Sequence, residues 1–356
     1  MHVPLVSVSA VRVSLTVRTA HTTTRFAFAW CSCASMLHVY IRRLAAREPR
    51  AARPCEGRPL PAMGHAMRRF GLGLPGVQQI PSRSQPWERE VGGAELVEAG
   101  RAAERAGFAW VSCSDHVLVP ASRADTMGAT WYDAGSTLAF VAGATTRIAL
   151  LSHVLVLPYR HPLVVAKQYG TLDHLSGGRL ILGVGSGHLK PEFAVLGADY
   201  ARRGRVTDEY IHAITAAWEQ EVAGFDGQTV AFRDVMVAPR VAQRPRPPIW
   251  VGGNSQAAVR RAARHADGWI PWQLTPDDFA AAAAYARAER TTTAPFELVA
   301  PLAVAPDAQS TSVVEQAGRW LAAGATSFHV GLGARSLTEF LERVAWFARE
   351  VMPQVG

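Results

Sequence analysis

The chain has 356 residues, 49% of them apolar, which is enough for one large core or two ordinary ones and excludes a chain too polar to fold. The formal charge of +8 resembles that of a nucleic-acid binder, but residues 1–66 hold nine Arg, no Lys and only Glu48 and Glu56 as acids, so +7 sits there and the remainder is nearly neutral. Cys31, Cys33 and Cys55 share that leader and leave Cys113 alone, so neither a disulfide framework nor a spaced zinc set can be built; HExxH is absent too, and no metal is expected.

The leader reads as separate from the rest of the chain. Its uncharged run from Phe26 to Ile41 is shorter than the ~20 residues of a membrane span, so no membrane partner is expected. Secretory signal, organellar leader and upstream extension of the reading frame all fit its composition. The third is preferred, with Met63 or Met67 as the working start, because Met67 directly precedes a strand-like segment. Residues 1–66 are expected to be disordered and to take no part in chemistry, and residues 67–356 to form one domain.

From Arg68 onward, short apolar runs alternate with helical spacing. Phe70–Leu74 predicts a first strand, Ala94–Ala106 a helix ended by Gly107, and Phe108–Cys113 a second strand. Asp133–Ala144 predicts a helix, and Ile148–Leu157 a long third strand. Pro162–Leu175 predicts a helix with proline at its tolerant first position, and Arg179–Gly183 a fourth strand. A helix over Arg203–Glu219 precedes a break between Val222 and Pro248, whose glycines and prolines suggest a hairpin insertion and a loop. Ile249–Val251 is the fifth strand. Gly252-Gly253 then turns into a helix capped by Asn254 or Ser255, and Gly268–Pro271 is the sixth strand. A helix at Asp277–Arg290, a strand at Phe296–Val304, a helix at Thr311–Ala323, a strand at Ser327–Val330 and a helix at Ser336–Val351 complete the chain.

Eight strand–helix pairs in this length predict an α/β fold, a (β/α)8 TIM barrel with a small insertion before strand five. An open doubly wound sheet is the rival, but Gly71-Leu72-Gly73 is too short for its glycine fingerprint. A barrel collects its site at the C-terminal strand ends. Those ends carry Ser114-Asp115-His116, Ser152-His153, Gly183 to His188 with Glu192 beyond, Gly252-Gly253-Asn254-Ser255, and Pro271-Trp272-Gln273. The glycine turn before a helix leaves free backbone N–H groups suited to a phosphate. Each feature alone has a plainer reading, as a cap, a core histidine or a loop; their convergence on consecutive strand ends favours a site. A Ser-His-Asp hydrolase is not indicated, since Gly185-Ser186-Gly187 is not a GxSxG elbow.

The segments Phe108–Val117 (FAWVSCSDHV), Val154–His161 (VLVLPYRH), Lys167–Gly187 (KQYGTLDHLSGGRLILGVGSG), Arg205–Tyr210 (RVTDEY) and Pro248–Trp269 together resemble the luciferase-like monooxygenase superfamily, and within it the F420-dependent oxidoreductases. The resemblance implies a TIM barrel binding coenzyme F420, or alternatively FMN, at its top face. It implies that Asp115 and His116 lie beside the ring, that Ser152, His153 and Val154 support it at a bulge or non-prolyl cis peptide, that Gly185, Ser186 and Gly187 flank it, and that Gly252, Gly253, Asn254 and Ser255 hold the phosphate. Relatives often have Trp where His188 stands here.

In the chemistry this suggests, His116 stabilises charge on the reduced ring, Asp115 orients that imidazole, and Glu192 or His188 moves a substrate proton. Arg202, Arg203, Arg205 and Lys190 either meet an anionic cofactor tail or form a solvated helix face. The leading expectation is a cytoplasmic F420-dependent oxidoreductase passing hydride to or from a small-molecule substrate. A second is an FMN-dependent monooxygenase supplied by a separate flavin reductase. A third is a cofactor-free barrel with a binding role. A homodimer is implied by family habit, and no nucleic-acid partner is expected.

Overall fold

The computed structural model describes residues 13–18, 23–28 and 69–355. The chain divides into two units, Met1–Pro54 and Cys55–Gly356. In the first, Val13–Arg18 and Thr23–Phe28 pair as antiparallel strands. The expectation of disorder over residues 1–66 otherwise lies outside the described residues.

The second unit carries eight parallel strands: β1 (Arg69–Gly73), β2 (Trp110–Cys113), β3 (Ala149–Ser152), β4 (Leu180–Gly185), β5 (Ile249–Gly252), β6 (Gly268–Ile270), β7 (Glu297–Val304) and β8 (Ser327–Leu332). Each pairs with its sequence neighbours; β8 pairs with β1 and β4 with β5, so the sheet closes. Among the described residues, eight principal helices alternate with the strands: α1 (Gly93–Arg105), α2 (Ala134–Ala142), α3 (Pro162–Ser176), α4 (Arg203–Glu219), α5 (Gln256–His265), α6 (Pro276–Glu289), α7 (Ser310–Ala322) and α8 (Leu337–Trp346). This is the (β/α)8 TIM barrel that the alternation predicted. The insertion before β5 is the predicted hairpin, with strands Ala223–Asp226 and Ala231–Val235.

Two cores separate the layers, as they must when a closed sheet buries both faces. The larger lies between sheet and helices and runs from Phe70 and Leu72 to Phe340 and Phe347. The smaller fills the barrel interior with Trp110, Ala149, Leu151, Ile181, Trp250, Ile270 and Val299. Trp110 and Trp250 meet there edge to face, centroids 5.1 Å apart. Gly71 makes this possible: a Cβ at that position would lie 1.8 Å from the Trp110 indole. The interior is therefore a hydrophobic plug, and any site must lie above it.

Two predicted elements differ in form. The long third strand is interrupted: β3 ends at Ser152, the His153–Val154 peptide is cis, and Leu155–Val156 pairs separately with β4. The expected last helix ends as α-helix at Trp346 and continues as a π-helical turn over Phe347–Val351. Among the described residues no helix is long and apolar enough to cross a membrane, and no group of three His, Cys, Asp or Glu is placed to hold a metal ion.

Candidate active site

His116 follows the tip of β2, and its Nδ1 lies 2.7 Å from Glu192 Oε2. Glu192 comes from a six-residue helix, Lys190–Val195, that follows the β4 tip. Its carboxylate is fully buried and accepts three further bonds, from the Val117 N–H (2.8 Å), the Leu118 N–H (3.2 Å) and the Tyr159 hydroxyl (2.9 Å). Burial alone would raise the Glu192 carboxyl, but His116, the Leu118 N–H and the Tyr159 hydroxyl outweigh it and hold it below the usual range. An ionised carboxylate only accepts, so Nδ1 of His116 carries a proton and Nε2 is the working nitrogen. Trp131 packs edge-on against the imidazole at 4.5 Å, and the exposed His188 ring lies 5.8 Å away. Burial, then the bond to Glu192, raises the Tyr159 phenol far above its ordinary value, so it acts as a donor.

Two proton-transfer expectations change accordingly. Asp115 does not orient His116; Glu192 does. Asp115 is buried and takes a two-pronged bond from Arg160, Nη1 to Oδ2 at 2.8 Å and Nη2 to Oδ1 at 2.7 Å, and it also accepts from the Val156 N–H at 3.1 Å. Glu192 in turn has no oxygen left to shuttle a proton. It sets the tautomer and angle of His116, which is a positioning role.

The tips of β3, β4 and β5 meet at Val154. A Cβ on Gly185 or on Gly252 would lie 2.8 Å from a Val154 methyl, so both glycines are needed for those strands to close around that side chain. His153 beside it packs edge to face on His329 of β8, centroids 4.3 Å apart. Burial pushes the His153 imidazole down to about 4. Burial, and after it the neighbouring His153, push His329 well below the ordinary range. Both rings are neutral at pH 7. Ser152 joins β3 to β4: its hydroxyl donates to the Gly183 carbonyl (2.9 Å) and accepts the Gly183 N–H (3.0 Å). It supports the floor through the strand and leaves no free hydroxyl for a ligand.

The β5 turn is built as the sequence suggested, with its side chains already occupied. Ser255, not Asn254, is the helix cap: its hydroxyl accepts the Ala258 N–H at 3.2 Å. Asn254 clasps the backbone of Trp272, donating to its carbonyl and accepting its N–H at 2.9 Å. Gly253 sits at φ 118° and accepts from the Trp269 indole at 2.8 Å. What remains for an anion is backbone: the first N–H groups of α5, Gln256 and Ala257, have no acceptor within the helix. Arg203 stacks on Tyr200 at 3.9 Å and donates to the Gly187 carbonyl at 3.3 Å, so it braces the Gly185-Ser186-Gly187 turn.

The predicted residues thus fall into three groups: His116, Glu192 and His188 together; His153, Val154, Gly185 and Gly252 together; and the turn from Gly253 to Ser255. Sequence reasoning missed Tyr159, Arg160, Trp131 and His329 as members of the site. Tyr159 and Arg160 lie within the VLVLPYRH segment. His329 has a weaker signal, a lone polar residue in an apolar strand. Trp131 has none.

Comparison with known proteins places the fold and the family. The family model described as luciferase-like monooxygenase matches residues 69–350. An uncharacterized protein of Mycobacterium tuberculosis (strain H37Rv) is 32% identical over 274 residues, covering 69% of this chain and 91% of its own. An FMNH(2)-dependent dimethylsulfone monooxygenase of Pseudomonas putida is 35% identical over 130 residues, 36% of each chain. Among solved structures, the coenzyme F420 dependent tetrahydromethanopterin reductase of Methanopyrus kandleri superposes with a TM-score of 0.66 at 17% identity, covering 82% of this chain and 100% of that one. The structural likeness shows the fold, a (β/α)8 barrel. The chain belongs to the luciferase-like monooxygenase family.

Proposed function

We propose that the protein is an F420-dependent oxidoreductase that passes hydride between the deazaflavin and a small organic substrate. The observation that carries the proposal is the His116–Glu192 pair, an imidazole with one nitrogen tied to a saturated buried carboxylate and the other left to exchange a proton. The residues fit such a ring. Val154 and the uncharged His153 form an apolar floor between the strand tips, and the N–H groups opening α5 suit a phosphate.

Bound deazaflavin supplies the hydride donor or acceptor. His116 Nε2 takes the proton leaving a substrate heteroatom during oxidation and returns it during reduction. Glu192 holds that ring in register and stabilises the imidazolium that forms. Asp115 and Arg160 tie the β2 tip to the segment after β3. His116, His188, His153, Val154, Gly185, Ser186, Gly187 and the backbone of the Gly252–Ser255 turn line the proposed pocket, and the buried Asp115 and Ser152 support it from behind. A cytoplasmic homodimer acting on a soluble small molecule accords with this reading.

The second reading is an FMN-dependent monooxygenase served by a separate flavin reductase. The likeness to the FMNH(2)-dependent enzyme of P. putida favours it. Fluorescence titration of the purified protein with F420 and with FMN separates the two: tighter F420 binding with no oxygen uptake supports the first. Oxygen consumption with reduced FMN supports the second. Binding of neither leaves a barrel with a binding role.

A further inference from the structure

His153 and His329 lie outside the proton-handling pair, yet His153 adjoins Val154, where three strand tips converge, and His329 packs on it from β8. Among the described residues no carboxylate forms a hydrogen bond or ion pair with either ring. His329 Nε2 lies 3.4 Å from the Ser112 hydroxyl, and its Nδ1 is buried without a hydrogen-bond partner among the described residues. A native fold rarely leaves such an atom unpaired without a purpose. The ring packs on His153, at 4.3 Å between centroids and 76° between planes. In that arrangement the edge of one ring meets the face of the other, a contact set by ring shape.

The consequence travels along the chain. His153 is bonded to Val154, and Val154 fills the space between Gly185 of β4 and Gly252 of β5. The His153 N–H also bonds the Cys113 carbonyl of β2 at 2.7 Å. A shift of the His153 ring therefore moves the wedge on which the β4 and β5 tips close.

We propose that His329 is a positioning residue: from β8, it fixes His153 edge to face and so sets the height and tilt of the Val154 floor on which the bound redox ring lies. This rests on the reading that the bowl binds a flavin or deazaflavin, and it adds a residue from the far strand of the barrel. The contact is one of ring shape, so an aromatic substitute serves and an aliphatic one does not.

The test uses the full-length protein with F420 and FMN, measuring Kd by fluorescence and ring geometry by visible circular dichroism of the bound cofactor. His329→Ala weakens binding about tenfold, or ~1.4 kcal/mol, and alters the visible dichroism. His329→Phe restores both to within about threefold. Val154→Ala reproduces the His329→Ala signature, which keeps the test sound if His329→Ala folds poorly. Val344→Ala, a buried core change in α8, lowers stability without altering either readout. Wild-type protein that binds neither cofactor overturns the reading of the bowl and this inference together. Wild-type binding with His329→Ala or Val154→Ala unchanged in Kd and dichroism, or with His329→Phe as impaired as His329→Ala, overturns the inference alone.

Discussion

The bowl holds histidine in two opposite environments. At the β2 tip, His116 is backed by a carboxylate that takes four donors, and its second nitrogen has no hydrogen-bond partner among the described residues. At the floor, His153 and His329 face each other without a carboxylate partner among the described residues, and burial keeps both neutral. On the proposed reading the same side chain is a proton carrier in one place and a packing element in the other. The difference is made by the partner: an ionised acceptor fixes a tautomer and stabilises a cation, whereas a second imidazole with no carboxylate beside it penalises one.

The sharpest way to break this contrast is to remove the proposed proton carrier. His116→Ala is expected to lower turnover by about 10²–10⁴-fold while the cofactor Kd stays within a few-fold, measured by steady-state kinetics and fluorescence titration. A variant that keeps full turnover removes His116 from the chemistry.

Next comes Glu192→Gln, which leaves the geometry but puts an NH2 group opposite two of the four donors. Loss of a buried, multiply bonded charge partner is expected to lower unfolding free energy by about 3–5 kcal/mol in denaturant titration. The activity loss should follow kcat more than KM, because Glu192 acts through His116. A KM-only effect would assign Glu192 to substrate contact instead.

The floor predicts a pH dependence of its own. The His153 pKa is depressed to about 4 from an ordinary 6.5, so the unfolded chain binds more protons than the native one between those values. The contribution is complete above pH 6.5 and is lost as pH falls toward 4, up to about 3 kcal/mol, with His329 acting in the same direction. Denaturation midpoints measured from about pH 7 to about pH 4.5 should fall more steeply for wild type than for His153→Phe. Parallel curves would show that the floor histidines are not held neutral.

The smallest effect belongs to the α5 cap. Ser255→Ala removes the hydroxyl that accepts the Ala258 N–H and is expected to cost about 1 kcal/mol by thermal unfolding. Asn254→Ala should instead free Trp272, since both amide atoms of Asn254 grip that residue's backbone. Its effect should appear in Trp fluorescence before it appears in stability.

The barrel was legible because periodicity is local. Runs such as Leu180–Gly185 and Ile249–Gly252 are short, apolar and followed by helical spacing, and eight such pairs leave few topologies. Asp115, His116, Glu192 and the Gly252–Ser255 turn were visible because strand ends are where a barrel gathers polar groups. Their partners were not. Glu192 lies 76 residues from His116, and nothing in the spacing says that it, rather than the adjacent Asp115, takes the imidazole. Asp115 is claimed by Arg160, 45 residues on, because a planar guanidinium fits two carboxylate oxygens at once.

By itself, then, the sequence determined the repeat, the closure and the ring of strand tips where polar residues accumulate. Only the tertiary structure decided which donor meets which acceptor, that Ser255 rather than Asn254 caps α5, and that His329 reaches His153 across the barrel. Periodic burial is encoded within a few residues of chain, whereas hydrogen-bond pairing depends on distances between segments that meet only once the barrel has closed.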